Sequence, residues 1–242
     1  MRTLNRLLSF ALLAGYLQNG WAAEPITLFY DPRPPYLIRQ DDGSATGLTA
    51  TPAALAFLHA GIAYRWKIAS SNEQLEALKH GNLQACSVGW FKTPEREHWV
   101  KYTHAIYQDH PMVVLANKNI AFPADSTLAA VLASQHYTLL VKDQYSYGPT
   151  LDAMLATTHP KRMTTSRQLQ EMVLMIAAQR ADLMLAAQEE AIYYLEKAQL
   201  AQGQITLHKF PDMPEGNKRY IICSPTVSDA LIEQLNAAID NN

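Results

Sequence analysis

Short apolar runs of strand length recur along this chain, separated by segments of helix length. That alternation limits the fold more than any other feature. Residues 26–30, 63–68, 85–89, 111–116, 137–141, 182–185 and 218–223 read as strands. Helical patterns fill 48–59, 149–156, 166–179, 188–199 and 227–240, and a helix opening at Ser71-Asn72-Glu73-Gln74, a capping-box pattern, ends at Gly81. A short helix is expected between 111–116 and 137–141. Strands separated by helices of about 10–15 residues predict an α/β fold with largely parallel sheets. The series is interrupted at 108–110, where a second βα series begins, and 210–216, rich in Pro and Gly, leads back. Two crossings predict two lobes with a cleft between them, the setting small ligands prefer. The expected division is 24–109 with 225–242 in lobe one, and 110–224, hinge strands included, in lobe two.

The N-terminus sets the compartment. Arg2 and Arg6 precede an apolar stretch from Leu7 to Leu17, then Gly20, Ala22 and Ala23 before the charged Glu24. A basic start, a short apolar core and small residues describe a signal peptide over 1–23, too short to span a bilayer comfortably. The mature chain is expected to begin at Ala23 or Glu24 and to be periplasmic. Of 20 basic residues two lie in this leader, leaving 18 against 22 acids, a net charge of −4. That mild acidity argues against nucleic-acid and anionic-membrane partners. Cys86 and Cys223 each lie inside an apolar run, so buried, unpaired thiols are the favoured reading, although an exported chain could pair them. Eight histidines follow no metal-binding spacing, and there is no phosphate loop, nucleophile elbow or His-Glu-x-x-His. No metal, cofactor or catalytic group is called for.

The most informative local motif is Thr93-Pro94-Glu95-Arg96. Thr93 is a good helix N-cap, Pro94 suits the first helical position, and Glu95 sits in the first turn. An arginine one turn in, beside a hydroxyl and free backbone N–H groups, can hold a carboxylate. Together with Pro34-Pro35-Tyr36, Gly47-Leu48-Thr49, Tyr102-Thr103, Arg180-Ala181-Asp182 and Tyr193-Tyr194-Leu195, this motif makes the chain resemble the family 3 extracellular solute-binding proteins. These are receptors of polar amino-acid uptake. The resemblance covers most of the mature chain and implies the type II periplasmic binding fold: two α/β lobes, each a mixed sheet flanked by helices, on a two-strand hinge. It also implies that Arg96 binds a ligand carboxylate, with Thr93 as hydroxyl partner and Tyr36 against the ligand body. An inner-membrane ABC permease or a sensor is the implied partner.

Departures from the family pattern bear on the ligand. The position of the aspartate that holds a ligand ammonium is Ala187 here, with Glu189 and Glu190 two and three residues further on. Trp90-Phe91-Lys92 replaces the usual serine-rich approach, and Lys142 to Gly148, carrying Tyr145 and Tyr147, replaces the lobe-two Gly-Ser loop. The candidate ligand-binding set is therefore Arg96, Thr93, Tyr36, Trp90, Phe91, Tyr145, Tyr147 and Glu190, with Arg33 as a second cation. Aromatic faces with a carboxylate-reading cation suit an aromatic or planar acid, or a peptide fragment. Three classes stay open: a binding protein feeding a transporter, a binding protein acting as a sensor, and an enzyme. The last arises because cyclohexadienyl dehydratases share the fold and use a lobe-two glutamate near Glu190 as proton donor.

Overall fold

In a computed structural model the described residues are 24–80, 83–143, 145–198 and 203–241. The leader expected at 1–23 lies outside them. Lobe one opens with β1 (Ile26–Tyr30), a short hairpin of β2 (Ile38–Arg39) and β3 (Ala45–Thr46), α1 (Ala50–His59), β4 (Tyr64–Ile68) and α2 (Ser71–His80). It continues through β5 (Ala85–Phe91), the single-turn α3 (Pro94–Glu97) and β6 (Lys101–Gln108). The chain then crosses to lobe two. This comprises β7 (Val113–Asn117), α4 (Leu128–Ala133), β8 (Leu139–Lys142), α5 (Pro149–Thr158), β9 (Arg162–Thr165), α6 (Leu169–Ala177), β10 (Leu183–Ala186), α7 (Gln188–Lys197) and β11 (Ile205–His208). A return crossing leads to β12 (Lys218–Cys223) and α8 (Asp229–Asp240), back on lobe one.

Each lobe is one five-stranded mixed sheet, ordered β4-β1-β5-β12-β6 and β11-β7-β10-β8-β9. β1 lies between two parallel neighbours and is buried at all five residues, as are the apolar β7 and β10 at every position. β4 is an edge, and exposes Arg65 and Lys67 there, charges that discourage further pairing. Both sheets are mixed, as the family resemblance implied and not largely parallel as the strand-helix alternation alone suggested: β12 runs antiparallel to β5 and β6, and β7 antiparallel to β10 and β11. β12 was grouped with 110–224 at the sequence level, yet it lies inside the first sheet, so the return crossing precedes Lys218.

Two local readings are also corrected. The capping box of α2 begins at Ser70: its N–H donates to the Glu73 carboxylate (2.8 Å), and Glu73 N–H returns to Ser70 Oγ (3.4 Å). Cys86 and Cys223 are not free thiols. They face each other across β5 and β12 and are joined as a disulfide of 2.03 Å spanning 137 residues of chain. The pairing follows from β12 returning beside β5, which neither cysteine's own neighbourhood announces.

The two crossings run side by side. Asp109 N–H donates to Asn217 O (3.0 Å) and Gln108 Nε2 to Gly216 O (3.4 Å). Contact is so close at Gly216 that a Cβ there would stand 1.7 Å from the Asp109 carbonyl oxygen, a backbone atom. Gly216→Ala should therefore force the crossings apart, at about 1–3 kcal/mol for such overpacking. Thermal unfolding is expected to show a melting temperature several degrees lower, roughly 2–4 °C per kcal/mol for a domain of this size. An unchanged melting temperature would mean the crossings are not held this tightly.

Candidate functional site

A cavity of about 540 Å³ lies between the lobes, within the size range of small-ligand sites. Three segments carry the lobe-one residues expected at the ligand, beside a wall completed by Thr49, Ser71, Gln74 and Arg219. The loop after β1 carries Arg33 and Tyr36. The Tyr36 carbonyl accepts the N–H groups of Thr49 (3.1 Å) and Ala50 (3.2 Å) and the Thr49 hydroxyl (3.1 Å), which fixes the loop against the start of α1. The end of β5 carries Trp90 and Phe91 beyond an irregularity at Gly89, where the register with β12 slips and φ is +86°. Trp90 is oriented by its indole N–H, which donates to Ser87 Oγ at 2.6 Å and Gln74 Oε1 at 3.2 Å. α3 then carries Arg96 into the wall.

Arg96 meets no carboxylate among the described residues. Its Nη1 donates to the Phe91 carbonyl (3.2 Å), and its guanidinium lies 4.8 Å from the Trp90 ring centre. The remaining guanidinium donors are open to a ligand. Thr93 sits behind it: its Oγ accepts the Arg96 backbone N–H at 3.3 Å as the α3 cap, and it is outside the cavity wall. Tyr36, Trp90, Phe91, Tyr145, Tyr147 and Glu190 all line the cavity. Tyr145 and Tyr147 meet edge-to-face at 5.1 Å. Tyr147 is also part of the lobe-two core, and burial pushes its hydroxyl up to about 12. It stays protonated at neutral pH.

The two neighbouring glutamates have separate tasks. Glu190 is in the wall, where both its oxygens accept from Arg33, Nε at 2.7 Å and Nη2 at 3.0 Å. The same Nη2 donates to Tyr145 Oη at 2.5 Å. Glu190 is 5% exposed and Arg33 34%, so the pair ties the lobes together at the edge of water. Glu189 turns instead toward the crossings. It accepts from Tyr36 Oη (3.2 Å), Tyr107 Oη (3.0 Å) and His110 N–H (2.7 Å), with His110 Nδ1 at 2.9 Å. Ala187 is buried against the apolar core of lobe one.

Sequence reasoning missed Arg219. It is 3% exposed on β12, clasps Asp109 with Nε (2.6 Å) and Nη2 (2.8 Å), and donates from Nη1 to the Gly89 carbonyl (3.2 Å). The rings of Tyr36 and Phe91 lie 3.8 Å and 4.6 Å from its guanidinium. The only local signal was an arginine leading into the apolar run Tyr220 to Cys223; its partner is 110 residues away. Lys142, absent from the candidate set, lines the cavity from lobe two and donates to Gln168 Oε1 at 3.1 Å.

The model of the bacterial extracellular solute-binding proteins, family 3, matches residues 26–242. Among curated proteins, none matches the sequence significantly. Solved structures with the same fold include an ancestral arginine-binding protein bound to arginine, 14% identical, TM-score 0.65, over 90% of this chain and 91% of that one. Substrate-binding domain 2 of GlnP from Lactococcus lactis, in open conformation, is 14% identical, with TM-score 0.63 over 90% and 88%. A histidine kinase sensor domain with similarity to periplasmic binding proteins is 15% identical, with TM-score 0.65 over 90% of each.

The Glu189 cluster makes stability depend on acidity. Burial pushes the carboxyl up, but the His110 N–H and ring and the Tyr107 hydroxyl outweigh it and hold it below its ordinary value of 4.5. A depressed carboxyl stabilises the fold above its unfolded value and loses that contribution as pH falls through the folded one. Glu189→Gln should destabilise the protein at pH 7 by about 2 kcal/mol, the scale of hydrogen bonds to a charged group. The gap between variant and wild type should close below about pH 4. Denaturant titrations across this range measure it. A gap independent of pH would show that the charge contributes nothing.

Proposed function

This chain belongs to the bacterial extracellular solute-binding proteins, family 3, and we propose that it captures a small carboxylate-bearing ligand in the cavity between its lobes. The observation that carries the proposal is Arg96: a guanidinium in the wall of a ligand-sized cavity, with no carboxylate partner among the described residues. The aromatic faces around it, Trp90, Phe91, Tyr36 and Tyr145, would bury an apolar or planar ligand body. Thr93 contributes by holding α3 in place and not by direct contact. The ligand serves uptake or sensing in the periplasm, with an ABC permease or a sensor protein as partner. Fold relatives of both kinds support this: the substrate binding protein of an amino acid ABC transporter and the sensor domain of a histidine kinase. Proton transfer by Glu190 is disfavoured, because both its oxygens are already occupied by the Arg33 guanidinium fork.

Arg96→Ala is expected to weaken binding of an acidic ligand by about 2–5 kcal/mol, roughly thirtyfold to several thousandfold. Arg96→Lys should recover only part, since an ammonium cannot reproduce the fork. Thr93→Val should cost about 1 kcal/mol, acting through the cap. Ligands are first found by a thermal-shift screen of amino acids, aromatic acids, di-acids and short peptides, then titrated calorimetrically. Circular dichroism controls for folding. Wild-type affinity in a folded Arg96→Ala protein would overturn the assignment.

A further inference from the structure

The cavity wall holds four cations and their balance of charge identifies the kind of ligand that fits. Arg219 is neutralised by Asp109, and Arg33 by Glu190. Arg96, from lobe one, and Lys142, from lobe two, have no carboxylate partner among the described residues. Lys142 gives one of its three protons to the neutral Gln168 side chain. Two unneutralised cations therefore approach one cavity from opposite lobes. Of the acids in the wall, Glu190 has both oxygens closed by Arg33, and Asp31 accepts the exposed Ser71 hydroxyl at 3.2 Å. A ligand ammonium on Glu190 would have to displace a guanidinium that already has forked geometry, and the one other acid in the wall, Asp31, lies at an exposed contact with Ser71 and shares the wall with two unneutralised cations.

From this we infer that the cavity takes a small dianion without an ammonium group, a dicarboxylic acid being the simplest case. One carboxylate pairs with Arg96 and the other with Lys142, while Arg33 stands on Glu190 where a ligand cation would otherwise go. The inference rests on the reading of the cavity as a ligand site anchored by Arg96. It adds a second anchor on lobe two, so that binding draws charge from both lobes at once. It also makes Arg33 a residue that sets specificity by occupying an acid, without touching ligand.

The test is a calorimetric titration of the full mature chain with three matched sets of probes. Succinate, glutarate and adipate are compared with aspartate, glutamate and 2-aminoadipate, and with butyrate, pentanoate and hexanoate. At least one dicarboxylate should bind more than roughly tenfold tighter than both its amino counterpart and its monocarboxylate. Lys142→Gln should erase the advantage over the monocarboxylate, and Arg96→Gln should abolish binding of both. Arg33→Gln, which frees Glu190, should shift preference toward the amino-bearing probe by roughly tenfold. If that variant does not fold, the wild-type comparison still decides. Absence of binding by every dicarboxylate, an equal or tighter amino counterpart, or indifference to Lys142→Gln would each overturn the inference. Failure of the underlying reading looks different: binding would then survive Arg96→Gln.

Discussion

The pair of Arg219 and Asp109 is the interaction on which the rest of the molecule leans. Asp109 begins the outward crossing and Arg219 lies just past the return crossing, so one buried ion pair closes the two routes between lobes. The same guanidinium holds the Gly89 carbonyl, where β5 departs from regular register, and lies against Tyr36 and Phe91. The floor of the cavity is thus attached to the hinge through one side chain. Such a buried pair is not a large net source of stability, because desolvation offsets most of its attraction. Its value lies in what removal of one partner would do: about 3–5 kcal/mol for an uncompensated buried charge. Crossings, strand irregularity and aromatic wall therefore have one arrangement rather than several.

Lobe one and lobe two are further joined by two adjacent glutamates at the start of α7. Glu189 gathers hydroxyl and N–H donors beside the crossings, and Glu190 receives Arg33 across the cavity. A carboxylate at the first turn of a helix is favoured by the helix dipole, which offsets part of the cost of burying two acids there. Arg33 keeps a third of its side chain in contact with solvent, so its bond to Glu190 is the more easily exchanged of the two ion pairs. Arg33 thus joins the loop after β1 to α7 across the cavity, whereas Arg219 and Asp109 both lie where the crossings meet lobe one.

Much of the fold was legible because buried strands announce themselves. β1, β5, β7, β10 and β12 are apolar runs, and all were found. β9 and β11 were not, since both are edge strands, β9 mostly exposed and β11 without a fully buried residue, and such strands need no apolar pattern. β6, also an edge, went unread for the same reason although its register with β12 spans Lys101 to Gln108. Long-range pairing was illegible in principle. Nothing near Cys86 points to Cys223, and nothing near Asp109 points to Arg219. In the candidate site, Arg96 and the aromatic residues could be read from local motifs. Roles set by a partner on the other lobe could not: Glu190 was expected to be available to a ligand, and is held by Arg33 instead. Thr93 caps α3 as its motif announced, but lies outside the cavity wall, which the local motif did not show.

The central claim is that a ligand carboxylate is held by Arg96 in the cavity between the lobes while Arg33 remains on Glu190. A crystal structure of the mature protein with a ligand confirmed by titration tests it most directly. The account predicts a ligand carboxylate in forked contact with the Arg96 guanidinium, with the Arg33–Glu190 and Arg219–Asp109 pairs both intact. A ligand carboxylate resting on any other cation, or a ligand ammonium on Glu190 with Arg33 turned away, would contradict it.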